Sequence, residues 1–378
     1  MINKIAIIII VFNGSKWIKK CLASVFESEY KNYDVIIIDN ASTDNSAQIV
    51  EKEFPQVQLI YLNKNIGFGK GNNIGIRKAM EAGCDAVVLL NPDTEVQADW
   101  LDELVKASNP NDVGIAQAML LLGESRALTN NVGNAMHYLG FGFVKHYKER
   151  VDKWYHKEPF EIGYASGAAM LIKREVLVVI ASECTHERGN PVTSAQSDEH
   201  GIASVENTLP RNDMEYFDAK LFMYNDDQDF CWRARLAGYK IIIAPKAIVY
   251  HYYEFSRNKL KFYWNERNRW ILLLQNYSAR TLFLIFPILV IIEFMMFVYS
   301  LIGGWFMLKL KSYFWILSNM DLISKQRKQV QKMRLIKDKE VVEHMDAKLE
   351  FSEVDNPLLK HIVSPIVENY FKIIKNFI

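Results

Sequence analysis

Short runs of β-branched residues, each ending at a cluster of Asn, Asp or Gly, recur through the first hundred residues. The runs are Ile5–Phe12, Val35–Ile38, Val57–Leu62 and Ala86–Leu90. Apolar runs bounded by turn residues are typical of buried parallel strands. The helix-like stretches between them are Lys16–Ser28, Thr43–Phe54, Gly69–Ala82 and Ala98–Ala107. This alternation predicts an α/β fold, a mostly parallel sheet with helices on both faces.

Composition excludes several classes of protein. Half of the 378 residues are hydrophobic, and 45 Lys and Arg balance 44 Asp and Glu. The chain is therefore neither disordered nor basic enough to predict a nucleic-acid partner. Its cysteines, Cys21, Cys84, Cys184 and Cys231, lie far apart. This spacing excludes a disulfide scaffold and a CxxC zinc site, and it suits a reducing compartment.

The second half of the chain has a less regular pattern. Further strands are predicted at Gly163–Ile172 and Lys240–Tyr250, with helices at Asp227–Ala237 and Tyr263–Tyr277. Ser182–Glu215 is polar and poor in apolar residues, which favours a surface loop or an insertion. We divide the chain into residues 1–110, residues 111–277 with the insertion 182–215, and residues 278–378.

The last hundred residues contain a candidate membrane segment. Leu282–Leu308 carries a single charge, Glu293, and is long enough to cross a bilayer core of ~20 residues. Basic residues flank it on both sides, which places both flanks on the cytoplasmic face. This favours a hairpin broken near Pro287 or Gly303-Gly304, or a helix in the interface, over a single span; a soluble core helix is the other alternative.

The tail Leu358–Ile378 is amphipathic, with apolar residues on one predicted helical face and lysines among them. We expect it to bind a membrane surface, with Phe371 and Phe377 inserted among the lipids. The chain is therefore predicted to be attached to the cytoplasmic face of the cell membrane.

Polar clusters follow all four predicted strands, the first of them at Asn13-Gly14. Asp39-Asn40 to Asp44 offers carboxylates to a base or a ribose, and the glycine-rich stretch Asn65 to Asn73 opens a helix whose N–H groups could face an anion. Asn91-Pro92-Asp93-Thr94 places an amide and a carboxylate at a strand end, and such oxygens suit Mg²⁺ or Mn²⁺ beside a diphosphate. Each cluster alone could be a turn or a helix cap. Their position at successive ends of one sheet favours a ligand site.

Two further features carry possible chemistry. Asp226-Asp227-Gln228-Asp229 opens a predicted helix, where the acids could be caps or could supply a general base. Closely spaced carboxylates raise one another's proton affinity, as a base requires. His251 follows a strand directly; such a His is often only a partly buried polar residue, but it can complete a carboxylate metal site.

Together these segments resemble family 2 glycosyltransferases of the GT-A fold, particularly the branch of rhamnosyltransferase-like and galactofuranosyltransferase-like enzymes. The resemblance covers about Met1 to Tyr277. The stretches that carry it are Ile7–Gly14, Ile38–Asp44, Asn63–Asn73, Leu89–Val96, Ala165–Leu171, Leu221–His251 and Arg267-Asn268-Arg269.

The resemblance implies inverting transfer of a sugar from a nucleotide-diphosphate donor, dTDP- or UDP-linked, to a glycan or lipid-linked acceptor in polysaccharide assembly. It implies that Asp39 reads the nucleobase, that Asp93 and His251 bind Mg²⁺ or Mn²⁺, and that Asp227 is the base, with Asp226 as the alternative. The nucleotide-sugar-binding residues that it implies are Asn13, Asp39, Asn40, Asp44, Asn65, Gly67, Asn72, Asn91 and Asp93.

Competing functions differ in identifiable features. A processive polysaccharide synthase carries QxxRW and several spans, whereas here Glu266 replaces Gln and one long apolar segment follows. A nucleotidyltransferase carries a basic glycine-rich loop after its first strand, and Asn13-Gly14-Ser15 is too short for one. An inactive sugar-nucleotide-binding scaffold would not require Asp93, Asp227 and His251.

Overall fold

The computed structural model describes residues 2–185, 216–253, 259–349, 357 and 359–378. The predicted α/β architecture is confirmed over these residues. The strands are β1 Ile5–Val11, β2 Tyr33–Asp39, β3 Gln58–Tyr61, β4 Ala86–Leu90, β5 Thr94–Val96, β6 Val113–Leu122, β7 Thr129–Asn131, β8 Asn134–Met136, β9 Gly142–Val144, β10 Phe160–Glu161, β11 Ala169–Lys173 and β12 Lys240–His251.

The helices agree closely with the predicted stretches in the first half and extend to the end of the chain. They are α1 Ile18–Phe26, α2 Ser46–Glu53, α3 Phe68–Glu81, α4 Trp100–Ala107, α5 Asp152–Tyr155, α6 Arg174–Thr185, α7 Asp226–Leu236, α8 Leu260–Asn276, α9 Ala279–Ile302, α10 Phe306–Ser318, α11 Met320–Met333, α12 Asp338–Val342 and α13 Ser364–Ile374. A π-helical turn, Leu359–Val363, precedes α13. Of the predicted insertion Ser182–Glu215, residues 186–215 lie outside the described residues, and residues 182–185 end α6.

The main sheet has the strand order β10-β12-β6-β11-β4-β1-β2-β3, with β5 and β7 paired at its side. Pairing is parallel from β4 through β1 and β2 to β3, as predicted. The sheet is mixed further along, because β11 runs antiparallel to both of its neighbours, β4 and β6. The predicted strand Gly163–Ile172 is shorter than expected, since the chain is irregular until Ala169.

Helices cover both faces of the sheet. Along β1, Ile5, Ile7 and Ile9 belong to one core with α1 and α4, whereas Ala6 and Ile8 belong to the other core with α3. This alternation follows from the twofold periodicity of strand side chains. The second core also takes in α7, α8 and the C-terminal helices, so the helices described after residue 279 pack directly on α7 and α8.

The apolar segment breaks at Gly303-Gly304, one of the two predicted positions, where Gly304 has φ +65°. Pro287 lies inside α9 without ending it. The charge of the segment is satisfied inside the protein: Glu293 accepts hydrogen bonds from Arg269 of α8 and from Lys309 and Tyr313 of α10. Glu266 of α8 also pairs with Lys309. This buried cluster joins α9 and α10 to α8.

The tail differs from the prediction in one respect. Phe371 is buried and stacks on Tyr138, with ring centroids 4.4 Å apart, so it cannot insert into a membrane as expected. The predicted apolar face is nevertheless exposed, since Ile366, Ile373 and Phe377 point outward. Helix α13 is therefore apolar on two sides, of which only one packs on the protein.

Candidate functional site

Asn13 and Asp44, two of the predicted nucleotide-sugar-binding residues, stabilise the loops at the carboxyl ends of β1 and β2. Asn13 adopts φ +53° and accepts a hydrogen bond from the Thr43 backbone N–H at 2.8 Å. Asp44 accepts from the N–H of Ser15 at 2.9 Å and from the N–H of Ser46 at 3.0 Å. Burial acts to raise the pKa of Asp44, but these hydrogen bonds outweigh it and lower the pKa to about 2. Both residues hold the two loops together.

Asp39 has an unsatisfied acceptor at the end of β2. Its side chain is buried, and Oδ2 receives a long bond of 3.3 Å from the Ser42 N–H, while Oδ1 has no partner among the described residues. A buried carboxylate oxygen without a hydrogen-bond donor is unfavourable, because it has lost its hydrogen bonds to water and no protein group replaces them. Oδ1 is therefore available to a ligand N–H group.

Asn40, Asn65 and Gly67 form one network that ties β2 to the loop before α3. The Asn40 amide donates to Asn65 Oδ1 at 3.1 Å and accepts from the Ile66 N–H at 2.9 Å. Gly67 has φ +87°, and a Cβ there would lie 2.2 Å from the Phe222 carbonyl oxygen. Only glycine fits this position. Gly67 therefore allows the loop before α3 to contact the segment that precedes α7.

Asn72 lies in the first turns of α3 rather than at an exposed edge. It is buried, and its amide donates to the Phe68 carbonyl at 3.1 Å. Its neighbour Asn73, which the sequence analysis did not select, bonds both the N–H and the carbonyl of Phe217, at 2.8 and 2.9 Å. The two side chains stabilise the start of α3 and its contact with the second half of the chain.

Asp93 and His251 come together from different strands. His251 ends β12, and its Nε2 lies 3.4 Å from Asp93 Oδ1 in the turn after β4. Burial acts to raise the pKa of Asp93, but the hydrogen bond and charge of His251 outweigh it and lower the pKa. Asn91, half-buried, stands two residues before Asp93.

Asn130 orients His251, a role that no sequence pattern predicts. Nδ1 of the ring donates to the Asn130 amide oxygen at 3.1 Å, which turns Nε2 toward the Asp93 carboxylate. An imidazole nitrogen and a carboxylate oxygen placed in this way can share a proton, or they can both coordinate a metal ion. The residues therefore fit a divalent cation, although no cluster of three His, Cys, Asp or Glu occurs within the described ranges.

Asp226 and Asp227, both at the start of α7, occupy different environments. Asp226 is buried against Gly69 of α3, and burial followed by the charge of Asp227 raises its pKa well above the usual value. Asp227 keeps part of its side chain exposed and accepts from the N–H groups of Gly167, at 3.2 Å, and Gln228, at 2.9 Å. Burial raises the pKa of Asp227 as well, and these bonds oppose the rise.

The loop before β11 connects the two halves of the site. Gly167 donates to Asp227, and the next residue, Ala168, accepts a 3.0 Å hydrogen bond from the Asn91 backbone N–H. The Asp227 carboxylate is thus held beside the turn that bears Asp93. The carboxyl ends of β2, β4 and β12 therefore bear Asp39, Asn91 with Asp93, and His251, and the start of α7 brings Asp227 beside the turn after β4.

Comparison with known proteins agrees with this arrangement. Residues 6–177 match the model of the family described as glycosyl transferase family 2. A Mycobacterium tuberculosis N-acetylglucosaminyl-diphospho-decaprenol L-rhamnosyltransferase is 21% identical over 277 residues, which are 68% of this chain and 79% of that protein. The Shigella flexneri dTDP-rhamnosyl transferase RfbF is 27% identical over 28% of this chain and 34% of that protein.

Other relatives are matched only in part. Glycosyltransferase GlyA of Streptococcus pneumoniae is 28% identical over 107 residues, and the chain spans only 15% of its length. In fold, the chain is similar to GalNAc-T7 solved with UDP, GalNAc and Mn²⁺, with a TM-score of 0.52 and 13% identity, over 74% of this chain and 49% of the other. These findings confirm the predicted GT-A fold: the chain carries a family 2 glycosyltransferase domain and is similar to the rhamnosyltransferases.

Proposed function

We propose that the chain transfers a sugar, with inversion, from a dTDP- or UDP-linked donor to a hydroxyl of a lipid-linked glycan at the cytoplasmic face of a membrane. Residues 1–110 would bind the donor and residues 111–277 the acceptor. The observation that carries the proposal is the Asp227 carboxylate, partly exposed and held by Gly167 beside the Asn91–Asp93 turn. The name of the M. tuberculosis relative gives a diphospho-decaprenol-linked sugar as the molecule that receives rhamnose, which supports a lipid-linked acceptor.

The donor end of the site favours a pyrimidine base with an N–H at N3. The free Oδ1 of Asp39 would accept that hydrogen, which uracil and thymine carry and cytosine lacks. Phe12, at the end of β1, is 49% exposed and offers an aromatic face at the same edge of the sheet. In the sequence Phe12 is only the last residue of the apolar run Ile5–Phe12, and its exposure in the structure distinguishes it from the buried residues of that run.

A donor screen tests this assignment. We expect release of nucleoside diphosphate from dTDP- or UDP-linked sugars in the presence of a polyprenyl-diphosphate glycan, and none from the CDP-linked counterparts. The glycan anomer in the product, read by NMR, reports inversion or retention. Turnover of CDP-sugars at equal rate would contradict the role of Asp39, and absence of turnover with every donor would favour the inactive scaffold.

The chain's own groups account for a single displacement. Asp227, ionised, would take the proton of the acceptor hydroxyl as its oxygen attacks the sugar carbon from the face opposite the diphosphate. A cation bound by Asp93 and His251, with Asn91 beside them, would supply positive charge to the leaving diphosphate. Burial, followed by the charge of Asp227, raises the pKa of Asp226 well above the usual value, so the negative charge is favoured on Asp227.

The raised pKa of Asp227 predicts a pH dependence. A general base acts only when it is ionised, so kcat should fall as the pH drops through this pKa. Because burial raises that pKa, we expect the acid limb of the kcat profile to lie above the range of an exposed aspartate, ~4. In Asp227→Asn the residual rate should lose this limb; a limb that persists there would assign it to another group.

Membrane attachment is supported by exposed apolar side chains on three helices. By length and composition, helix α9 could cross a membrane. Among the described residues no other helix is both long enough and apolar enough to do so. It buries one face, while Phe283, Phe286, Val290 and Phe294 recur on the other. Helices α10 and α13, which both contact α9, expose Phe314 and Ile373. So large an apolar surface marks an interaction site.

The pairing of Glu293 with Arg269 and Lys309 favours a helix lying in the interface over one that spans. Crossing the bilayer would pull Glu293 from its partners on α8 and leave it uncompensated in lipid. Arg280 and Lys372, exposed at the ends of α9 and α13, are placed to bind anionic head groups.

A vesicle-binding experiment tests the attachment. The triple variant Phe294→Ser, Leu317→Ser, Ile373→Ser removes three exposed apolar side chains. At ~1.5–3 kcal/mol each, their loss should weaken co-sedimentation with phosphatidylglycerol vesicles by ~10²-fold or more. The control is Val178→Ser, which removes a 48% exposed side chain on α6. A monomeric wild-type protein that does not co-sediment with the vesicles would refute membrane attachment. A stable dimer would instead indicate that the apolar surface of α9, α10 and α13 binds a second copy of the chain.

The structure gives no support to a processive synthase. In the segment that resembles QxxRW, Glu266 pairs with Lys309, and Arg269 binds Glu293 and donates to the Leu139 carbonyl at 3.3 Å. Both side chains are buried. They are therefore committed to holding α9 and α10 and are not free to contact a glycan.

A further inference from the structure

The segment that leads into Asp227 has an unusual backbone. Phe222, Tyr224 and Asn225 adopt φ of +62°, +65° and +61°. L-residues other than glycine rarely take this left-handed conformation, because Cβ crowds the following carbonyl. Asn tolerates it, but Phe and Tyr do not. Such a segment persists only where surrounding contacts hold it.

Asn268 of α8 supplies those contacts. Its side chain is fully buried, and Nδ2 lies within hydrogen-bond distance of three carbonyl oxygens of the segment, those of Leu221 at 3.0 Å, Met223 at 2.9 Å and Tyr224 at 2.8 Å. Carbonyl oxygens can only accept, so the Asn268 amide must present its NH₂ to them.

Arg267 fixes that orientation. Its guanidinium donates from two nitrogens to Asn268 Oδ1, at 3.0 and 2.7 Å, and also bonds the Leu221 carbonyl at 3.1 Å. The Asn268 amide therefore has its oxygen facing Arg267 and its NH₂ facing the segment, and it cannot turn without losing both sets of bonds.

The segment held in this way touches both functional halves of the site. Asn225 lies immediately before α7, so the direction in which α7 starts, and with it the position of Asp227, depends on this backbone. On the other side, the Phe222 carbonyl accepts from the Phe68 N–H at 2.8 Å, at the start of α3.

We propose that Asn268 is a positioning residue for the transfer reaction: its NH₂ holds residues 221–225 in the left-handed conformation that places Asp227. The inference rests on the proposed role of Asp227 as the base. A displacement of ~1 Å in a catalytic group can cost ~10²-fold in rate, so the effect belongs in kcat and not in the binding of the nucleotide.

The test compares two isosteric substitutions on one helix. Asn268→Asp replaces the NH₂ by an oxygen that repels the three carbonyls, whereas Asn265→Asp makes the same change at an exposed position. We expect Asn268→Asp to lower kcat by ~10- to 100-fold with the donor KM within about twofold of wild type. Asn265→Asp should leave both unchanged.

A double-mutant cycle separates positioning from loss of fold. Tyr224→Gly removes the backbone crowding that the Asn268 hydrogen bonds oppose, since glycine adopts φ +65° freely. Relative to Tyr224→Gly alone, adding Asn268→Asp should therefore cost less in kcat than it does in wild type. If Asn268→Asp yields no soluble protein, Asn268→Ser, which keeps one donor, is measured in the same way.

The outcomes are distinct. Full kcat in Asn268→Asp or Asn268→Ser, with only a lower melting temperature, would overturn the inference and leave Asn268 a fold-stabilising residue. So would equal losses from Asn268→Asp in the two backgrounds. Full activity in Asp227→Asn would instead refute the proposed base, whatever Asn268 does.

Discussion

Replacing Asp227 by Asn is expected to lower kcat by ~10²–10⁴-fold, the usual loss when a general base is removed. The amide keeps the size of the side chain and can still accept the Gly167 N–H bond through its oxygen. Donor affinity should survive, because Asp39 and the loops after β1 and β2 lie on the other half of the sheet. The measurements are steady-state kcat with a saturating acceptor and donor binding by calorimetry.

Asp226→Asn is the matched control. Asp226 is buried against Gly69, and burial with the charge of Asp227 raises its pKa well above the usual value. Ionisation of Asp226 is therefore disfavoured, and the change to Asn is the milder of the two substitutions. We expect a change in kcat of less than ~10-fold. If Asp226→Asn stops transfer while Asp227→Asn is tolerated, the base is Asp226 and not Asp227.

The first half of the fold could be predicted from the sequence, because each of its strands is marked by residues that are close together in the chain. Each of β1 to β4 is an apolar run closed by Asn, Asp or Gly, and Ala86–Leu90 is predicted to the residue. The second half did not follow. Gly163–Ile172 was predicted as one strand, but its first six residues form the loop that holds Asp227, and the antiparallel pairing of β11 depends on β4 and β6, which are distant in sequence.

The site shows the same division. Polar residues at strand ends could be predicted as a set, because parallel strands bring their carboxyl ends to one edge. Their individual roles could not: Asp44 is occupied by Ser15 and Ser46, whereas Asp39, in the same cluster, keeps a free oxygen. Asn130 and Asn268 act through partners more than 40 residues away. No spacing rule reaches such pairs.

Glu293 is the clearest case in which tertiary structure changed the meaning of a sequence signal. In the sequence, Glu293 is the single charged residue of a 27-residue apolar segment. A lone charge of this kind is unfavourable in a membrane span. In the structure it is the point where α9 is bound to Arg269 and Lys309. The segment is thereby turned into a helix with one face on the protein and one face exposed.

Removal of the divalent cation should have an effect as large as loss of the base. Asp93→Ala, or excess EDTA on wild type, is expected to lower turnover by ~10³-fold or more, because charge stabilisation worth several kcal/mol is lost at the leaving diphosphate. Mg²⁺ or Mn²⁺ should restore wild type after EDTA but not Asp93→Ala. Asp99→Ala, in the following loop, is the control for a lost carboxylate. Full turnover in excess EDTA would refute a metal-dependent reaction.

The hydrogen bond between Asn130 and His251 allows the role of His251 in metal binding to be tested separately. Asn130 fixes the ring so that Nε2 faces Asp93, and partners of this kind are typically worth ~10- to 100-fold in metal affinity. Asn130→Ala should therefore raise the Mn²⁺ concentration needed for half-maximal turnover by ~10- to 100-fold, while saturating Mn²⁺ recovers most of kcat. A residue that merely stabilised the fold would lower kcat at every Mn²⁺ concentration. Equal Mn²⁺ dependence in Asn130→Ala and wild type would mean that His251 does not bind the cation through Nε2.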